Sequence, residues 1–204
     1  VVQAVTRVAA GLDFVGFYAG GPVVRAFADS LGSRHWHHVQ TFHFDWCLYH
    51  AADKAVKTAY AGSRWSEDEF TRRVAEGTRQ LAVMARPPRV LAPGAYRAWF
   101  TPTAMAELLG ALAWGGFGLK ERRTGTSTLM RLAHRDAVLH PDVDISEHTA
   151  LGTAPAFTAE GFARPPRVSL VERGLATGTL NSARSAQEFG LPANGANAAE
   201  VPES

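Results

Sequence analysis

Apolar and polar residues alternate between residues 37 and 50, and this alternation predicts a β-strand with one buried face. The side chains expected to face the core are Phe42, Phe44, Trp46 and Leu48. Because successive strand residues point to opposite sides, the other face would carry His43, Asp45 and Cys47. The predicted strand therefore has an apolar side and a side with titratable groups.

Two hairpins are predicted in the first third of the chain. A turn at residues 51–54 would return the chain into a strand from Ala55 to Tyr60. Upstream, the segment from Phe14 to Phe27 has an apolar run on each side of the sequence Gly-Gly-Pro at residues 20–22, which is typical of a hairpin turn. The sequence DSLGS at residues 29–33 predicts the next turn.

Helical spacing of apolar residues predicts two helices in this part of the chain. Val2 to Ala9 would form a short one. Ser66 with Glu69 three residues later forms a capping box, which predicts the start of a longer one. Apolar residues then recur at roughly helical intervals at Phe70, Val74, Leu81 and Met84. We expect an amphipathic surface helix that ends before Pro87 and Pro88.

A third helix is predicted directly after the strand-like segment from Tyr96 to Phe100. Thr101 supplies an N-cap, Pro102 is a favourable first helical residue, and the glycines from Gly115 onward would end the helix. Glu107 is its only charged residue. Because this helix is apolar on nearly all sides, we expect it to be buried in the core.

The last part of the chain predicts short elements joined by loops. Residues 129–145 would form strand pieces, and two short strands would flank Arg173 and Gly174. A short helix would end at Gly190. We expect residues 192–204 to be mobile.

These elements together indicate an α+β fold. It would consist of antiparallel β-hairpins with a few packed helices, followed by a C-terminal part with a mixed sheet around a buried helix. The proline-rich segment RPPRVLAPG is the best internal boundary. It predicts a first domain at residues 1–88, with the hairpins and the amphipathic helix, and a second at residues 89–204.

Composition narrows the classes of protein that the chain resembles. Its 204 residues are enough for one large or two small domains, and a formal net charge of +2 with scattered basic residues argues against nucleic-acid binding. No apolar run is long enough for a membrane span. The single cysteine, Cys47, excludes an internal disulfide and fits a cytoplasmic protein. The chain starts at Val1, so we expect a piece of a longer protein or a processed one.

Three residues are candidates for catalysis, and each also has a simpler interpretation. His43 and Cys47, with Asp45 between them, are residue types that bind metals or form a nucleophile and base. Same-face neighbours on one strand are ~7 Å apart, so a polar solvent-facing surface is the favoured interpretation. Glu107 is a candidate general acid or base, but an ion pair with Arg97 or an exposed helix edge is favoured. HExxH, CxxC, phosphate-loop and GxSxG motifs are absent from the sequence.

Several segments resemble the TldD/PmbA family of peptidase-related proteins. They occur in the family's order and are PGAYRAWFTPTAMAELLGAL, GTSTL, VDISEHTALGTAPAFTAEGFARPPRVSLVERGLATGTLNSARSAQEFG and ANGA. FTAEG and RPPRVSLVERG are the most specific of these, and the resemblance covers residues 93–196, about half of the chain. Family members are about twice as long, so the resemblance implies a central to C-terminal part, truncated at its C-terminal end.

The resemblance also implies what this chain lacks. In the TldD branch a helix carries HExxxH, with two zinc-binding histidines and a glutamate as general base, and the PmbA/TldE branch lacks this motif. The histidine positions correspond here to Thr101 and Ala106, and the glutamate position to Pro102. The third TldD ligand is a cysteine near the family's extreme C-terminus, which Cys47 does not match. The chain is therefore expected to hold no metal or cofactor of its own.

By this resemblance the chain is a PmbA/TldE-type subunit. Such a subunit would pair with a zinc-bearing TldD-type subunit as a heterodimer, or form a homodimer, and act in proteolysis of small or unfolded peptides. One alternative is a stand-alone peptidase that uses His43 and Cys47. Another is a non-enzymatic interaction scaffold.

Overall fold

The computed structural model describes residues 1–50 and 54–202. Its helices are α1 (Val2–Val8), α2 (Glu67–Met84), α3 (Pro102–Ala113), α4 (Leu119–Thr124), α5 (Met130–Ala133) and α6 (Ala183–Phe189). Its strands are β1 (Asp13–Ala28), β2 (Arg34–Tyr49), β3 (Ala55–Gly62), β4 (Ile145–Glu147), β5 (Val168–Glu172) and β6 (Leu175–Ala176). The strands form two three-stranded sheets, ordered β1-β2-β3 and β4-β5-β6. The predicted α+β class is confirmed.

The chain forms two compact units. Unit 1 contains residues 1–24 and 38–96, and unit 2 contains residues 25–37 together with those from 97 onward. The domain boundary predicted between residues 88 and 89 stays a prediction. The two compact units show which residues lie close together, but not which segments fold independently. Every helix in the described part of the chain is too short or too polar to cross a membrane.

The core of unit 1 lies between its sheet and α2, as the alternation in β2 predicted. All four predicted apolar residues of β2 are buried, with Trp46 at 1% and Leu48 at 0% exposure. β3 runs antiparallel to β2, in register from Phe42 opposite Gly62 to Tyr49 opposite Ala55. The predicted turn between them falls largely on residues 51–53, outside the described residues.

The hairpin predicted around residues 20–22 is wrong. β1 continues through these residues as one strand of 16 residues. A Cβ atom on Gly20 would lie 3.0 Å from the Cβ of Phe42, so this glycine allows close approach of the neighbouring strand instead of forming a turn. The turn comes at DSLGS, as predicted, where Asp29 Oδ1 accepts hydrogen bonds from the backbone N–H groups of Leu31 and Ser33, both at 2.9 Å.

The predicted start of α2 is confirmed. Ser66 is the N-cap, and its hydroxyl accepts a hydrogen bond from the backbone N–H of Glu69 at 3.3 Å. The helix ends at Met84, before the two prolines. Gly77 faces the sheet, where an added Cβ would lie 2.9 Å from Leu48 Cδ1, so the small residue lets the helix approach the strands closely.

The bounds of α3 were predicted correctly, but its burial was not. The Thr101 hydroxyl accepts a hydrogen bond from the N–H of Ala104 at 3.2 Å, and Gly115 follows the helix with φ of +71°. However, no residue of α3 is buried, and Leu108 is 45% exposed. The apolar sequence shows that the helix favours an apolar environment, but the described residues of this chain do not enclose it. The strand-like segment from Tyr96 to Phe100 forms no strand.

Unit 2 has its own core around β5. Its main buried apolar cluster consists of Phe117, Leu132, Leu170, Val171, Leu180 and Ala196. The strands on both sides of Arg173 and Gly174, and the helix that ends before Gly190, are confirmed. Residues 129–145 are mostly not strand, since they contain α5 and only the first residue of β4. The sheet is antiparallel, with a separate parallel bridge between Gly118 and Leu180, and the predicted buried helix, α3, has no buried residue.

The mobility of the last residues stays a prediction, but up to residue 202 this segment makes specific contacts with the rest of unit 2. The Glu200 side chain is buried, and its carboxylate accepts hydrogen bonds from the backbone N–H groups of Lys120 and Ser182, both at 2.8 Å. Asn194 Oδ1 accepts another from the N–H of Asn181 at 2.8 Å. These long-range hydrogen bonds fix a segment whose composition is typical of a loop.

Candidate functional site

An apolar groove lies beside α3 in unit 2. Its volume is about 450 Å³. The lining residues come from α3 and the residues after it, from β4 and β5, and from the last described residues: Leu109, Gly110, Ala113, Trp114, Phe117, Ile145, Ser146, Glu147, Leu170, Val201 and Pro202. Trp114 is 83% exposed at the end of the helix. The groove is large enough for one or two amino-acid side chains and offers mainly apolar contacts.

β4, which lines one side of this groove, is an outer strand. Its ladder partners all belong to β5, with Ser146 opposite Ser169 and Glu147 opposite Val168. In the described chain β4 has no strand neighbour on its other side. An outer strand offers backbone N–H and C=O groups that an extended peptide can pair with. The groove therefore combines a strand edge with space for side chains.

The negative charge at the groove is held in place by a buried ion pair. Arg164 Nη1 lies 3.5 Å from Glu147 Oε1, and the two side chains are only 3% and 11% exposed. Removing one partner of a buried ion pair is generally destabilising. Glu147 thus belongs to the framework of β4.

The start of α3 does not have the chemistry of a zinc site. The Thr101 hydroxyl caps the helix, Pro102 has no side-chain donor atom, and Ala106 has only a methyl group. Within residues 1–50 and 54–202, no three His, Cys, Asp or Glu side chains are grouped so as to hold a metal ion. The side chains at these three positions do not fit the zinc ion that the resemblance implies for the TldD branch.

Glu107 lies on the exposed surface of α3. It is not among the residues that line the groove. Its position is that of an exposed helix edge, one of the two simpler interpretations given above. A role as general acid or base stays a prediction.

His43, Asp45 and Cys47 lie on the outer face of β2 in unit 1. His43 Nδ1 is 3.4 Å from Asp45 Oδ2, with the two side chains 52% and 39% exposed. Cys47 is half-buried and stands opposite Lys57 of β3. A hydrogen bond with the Cys47 side chain raises the pKa of the Tyr49 hydroxyl. The structure thus pairs His43 with Asp45 and Cys47 with Tyr49, and a catalytic role of His43 and Cys47 stays a prediction.

Sequence reasoning missed the groove, because its walls are far apart in the chain. Residues 109–117 meet residues 145–147 there, together with Leu170 and the segment 201–202. One signal in the sequence was usable. Trp114 follows an apolar helix and is itself followed by glycines, which have no side chains to cover a large aromatic ring.

Two solved structures are similar to this chain in fold. A proposed modulator of a DNA gyrase from Thermotoga maritima has a TM-score of 0.74 and 15% sequence identity, covering 98% of this chain and 48% of that one. A proposed modulator of DNA gyrase from Bacteroides thetaiotaomicron has a TM-score of 0.52 and 10% identity, covering 95% and 47%. At these identities the similarity shows the fold alone. The chain spans about half the length of these two proteins.

Sequence comparison gives the family. No curated protein matches the chain. Residues 93–203 match the family model described as the PmbA/TldA metallopeptidase C-terminal domain. The match includes α3, the groove and β4, and it covers more than half of the chain. The chain belongs to the PmbA/TldD family.

Proposed function

We propose that this chain is part of a PmbA/TldE-type, non-catalytic subunit that binds extended peptides at the groove beside α3. The observation that carries the proposal is the combination of an outer strand, β4, with an apolar groove of about 450 Å³. A peptide would pair its backbone with β4 and place apolar side chains against Leu109 and Trp114. Such binding depends on backbone shape and apolar contact, which suits small or unfolded peptides of varied sequence.

The subunit role is supported by the residues at the start of α3. Thr101, Pro102 and Ala106 cannot bind zinc or take a proton from water, so a zinc-bearing TldD-type partner would supply the hydrolytic chemistry. We expect a heterodimer with that partner, with a homodimer as the alternative. We also expect both subunits to be cytoplasmic.

The groove offers a sharp test of peptide binding. An added Cβ at Gly110 has no neighbouring atom within 4 Å, so Gly110→Phe is tolerated by the helix while its ring fills the groove. We expect at least about a tenfold loss of affinity for a fluorescently labelled unfolded peptide, measured by anisotropy, because the side chains of the peptide lose their contacts. Ala111→Phe adds the same ring to an exposed position outside the groove and should bind as the unmodified chain does.

Equal affinities of the two variants would exclude the groove as the peptide site. Co-purification under native conditions tests the partner: recovery of a HExxxH-bearing protein supports the subunit role, and recovery of none counts against it. The interaction-scaffold alternative predicts a partner but no peptide binding. The stand-alone peptidase alternative predicts peptide hydrolysis by the purified chain that is lost in His43→Ala and Cys47→Ala.

A further inference from the structure

A second cavity in unit 2 shares no lining residue with the groove. Its volume is about 340 Å³, and its walls come from α4, from α5 and the residue after it, from the end of β6 and the residues after it, and from Leu191. Arg122, Arg123 and His134 contribute the titratable groups, and no acidic side chain lines it. Met130 and other apolar residues form the rest of the wall together with Thr177. The cavity is therefore apolar in part and positively charged, without a carboxylate to balance the charge.

Arg122 is the unusual residue of this cavity. Its Nε and Nη2 atoms are buried and have no hydrogen-bond partner among residues 1–50 and 54–202. Burial lowers the pKa of the guanidinium, and no carboxylate offsets that effect. The acidic neighbour on the same helix, Glu121, is directed elsewhere, with its side chain against Gly115 and Gly118. The Arg122 side chain as a whole is half-buried, but buried N–H groups without an acceptor are unfavourable, and proteins usually satisfy them with a ligand or a paired acid.

The other polar groups of the cavity decide what would fit beside Arg122. The Thr179 hydroxyl already donates to Asn181 Oδ1 at 2.6 Å, so it offers no free proton. Thr177 is exposed, and its hydroxyl lies 3.5 Å from that of Ser169, at the limit of a hydrogen bond. Arg123 and His134 are exposed at the rim. The available groups are therefore mainly donors and cations, which select an anion that accepts several hydrogen bonds.

We propose that this cavity binds a small organic oxyanion, a carboxylate or a phosphate monoester, with Arg122 as its main ligand. Arg122 is half-buried, and a turn of its side chain toward the cavity would bring the paired N–H groups of the planar guanidinium, which are closed off from solvent in the structure, against two oxygens of either anion. Arg123 adds charge at the rim, and the apolar wall with Met130 accommodates the organic part of the ligand. The volume exceeds that of a bare phosphate ion, which favours a ligand with an apolar body.

Titration calorimetry on the 204-residue chain tests the site. Phenyl phosphate and benzoate serve as probes, and uncharged benzamide controls for binding of the ring alone. We expect one of the two anions to bind with a dissociation constant on the order of 1 mM or tighter, and benzamide not to bind. The anion that binds more tightly identifies the class of ligand. Failure of both anions to bind more tightly than benzamide would overturn the proposal.

Three arginine variants separate the cavity from general charge effects. Arg122→Met keeps much of the side-chain length and should weaken anion binding at least about tenfold. Arg122→Lys keeps the charge but loses the paired N–H groups, so its affinity should lie between those of Arg122→Met and the unmodified chain. Arg131→Met removes one exposed arginine outside the cavity and should bind as the unmodified chain does. Without ligand, the melting temperature of Arg122→Met should be unchanged or higher, because two buried nitrogen atoms without a hydrogen-bond partner are removed. If both Arg122 variants bind the anion as tightly as Arg131→Met, Arg122 is not its ligand.

Discussion

Helices α2 and α3 have the same type of N-cap, but α2 is covered by other residues of the chain and α3 is not. Each starts with a hydroxyl side chain that accepts a hydrogen bond from a backbone N–H three residues later. α2 contains many charged residues, yet it buries Phe70 and Val74 against the sheet of unit 1, whereas α3 is almost entirely apolar and buries none of its residues. Local sequence therefore determines where a helix forms, and only the rest of the fold determines whether it is covered.

This difference separates residues that stabilise the fold from residues available for binding. A covered helix contributes to the free energy of folding through the apolar area it removes from water. An uncovered apolar helix makes little such contribution, but it offers that area to a ligand. At the groove beside α3, exposed apolar surface of the helix lies next to the free edge of β4.

The largest expected effect is the loss of a large side chain from α2. Phe70 is fully buried, and its ring centroid lies 5.1 Å from that of Trp65 and 5.4 Å from that of Trp46. Phe70→Ala should lower the free energy of unfolding of unit 1 by about 3–5 kcal/mol, because it removes these contacts and leaves a cavity. Leu108→Ala on α3 should cost less than about 1 kcal/mol, since that side chain is 45% exposed. Urea unfolding followed by tryptophan fluorescence measures both changes.

Comparable losses in the two variants would contradict the comparison. That result would mean that α3 is covered in solution, for example by a second copy of the chain. Repeating the urea titration over a range of protein concentrations would then distinguish a self-associated form, whose stability depends on concentration, from a monomer.

The caps give a smaller and more local effect. Ser66→Ala and Thr101→Ala each remove one hydroxyl acceptor, which is typically worth about 1 kcal/mol to a helix. In α2 this loss should appear in the unfolding of unit 1, because the helix and the core unfold together. In α3 it should appear as faster amide hydrogen exchange in the first helical turn, with little change in global stability.

Ser66→Thr and Thr101→Ser are the matched controls, because each keeps a capping hydroxyl. Both should behave almost as the unmodified chain does. If Thr101→Ala lowered global stability as much as Ser66→Ala, α3 would be coupled to a core in the same way as α2. The contrast between a covered and an uncovered helix would then be wrong.

The same contrast explains how much of this molecule could be predicted from its sequence. The alternating strand at β2 and the starts of α2 and α3 were predicted because their signals lie within a few residues. The long β1 was not predicted. Gly20 allows the close approach of Phe42 on the neighbouring strand, and the pairing of these two strands cannot be read from the sequence around Gly20. The groove and the cavity around Arg122 were also missed, since each joins segments distant in the chain and no local pattern encodes that meeting.

The smallest effect concerns the charged surface of α2, which α3 does not have. Hydrogen bonds from Arg72, at 2.8 and 2.9 Å, and from Arg73, at 2.6 Å, lower the pKa of the Glu69 carboxyl to about 2. A carboxyl whose pKa is lower in the folded state stabilises that state above its unfolded pKa, near 4.5, and this contribution is lost as the pH falls toward about 2. Glu69→Gln should therefore reduce the acid-dependent loss of stability of unit 1, but only modestly, because the Glu69 side chain is half-buried and solvent still screens its ion pairs. Carboxyl titration by NMR should show the Glu69 pKa rising in Arg72→Met and Arg73→Met. Arg64→Met is the control, because it removes an exposed arginine of the same unit that is not bonded to Glu69. In this variant the pKa of Glu69 should stay low. If the pKa rose as much in Arg64→Met as in the other two variants, net charge would lower the pKa of Glu69, and not the two hydrogen-bonded arginines.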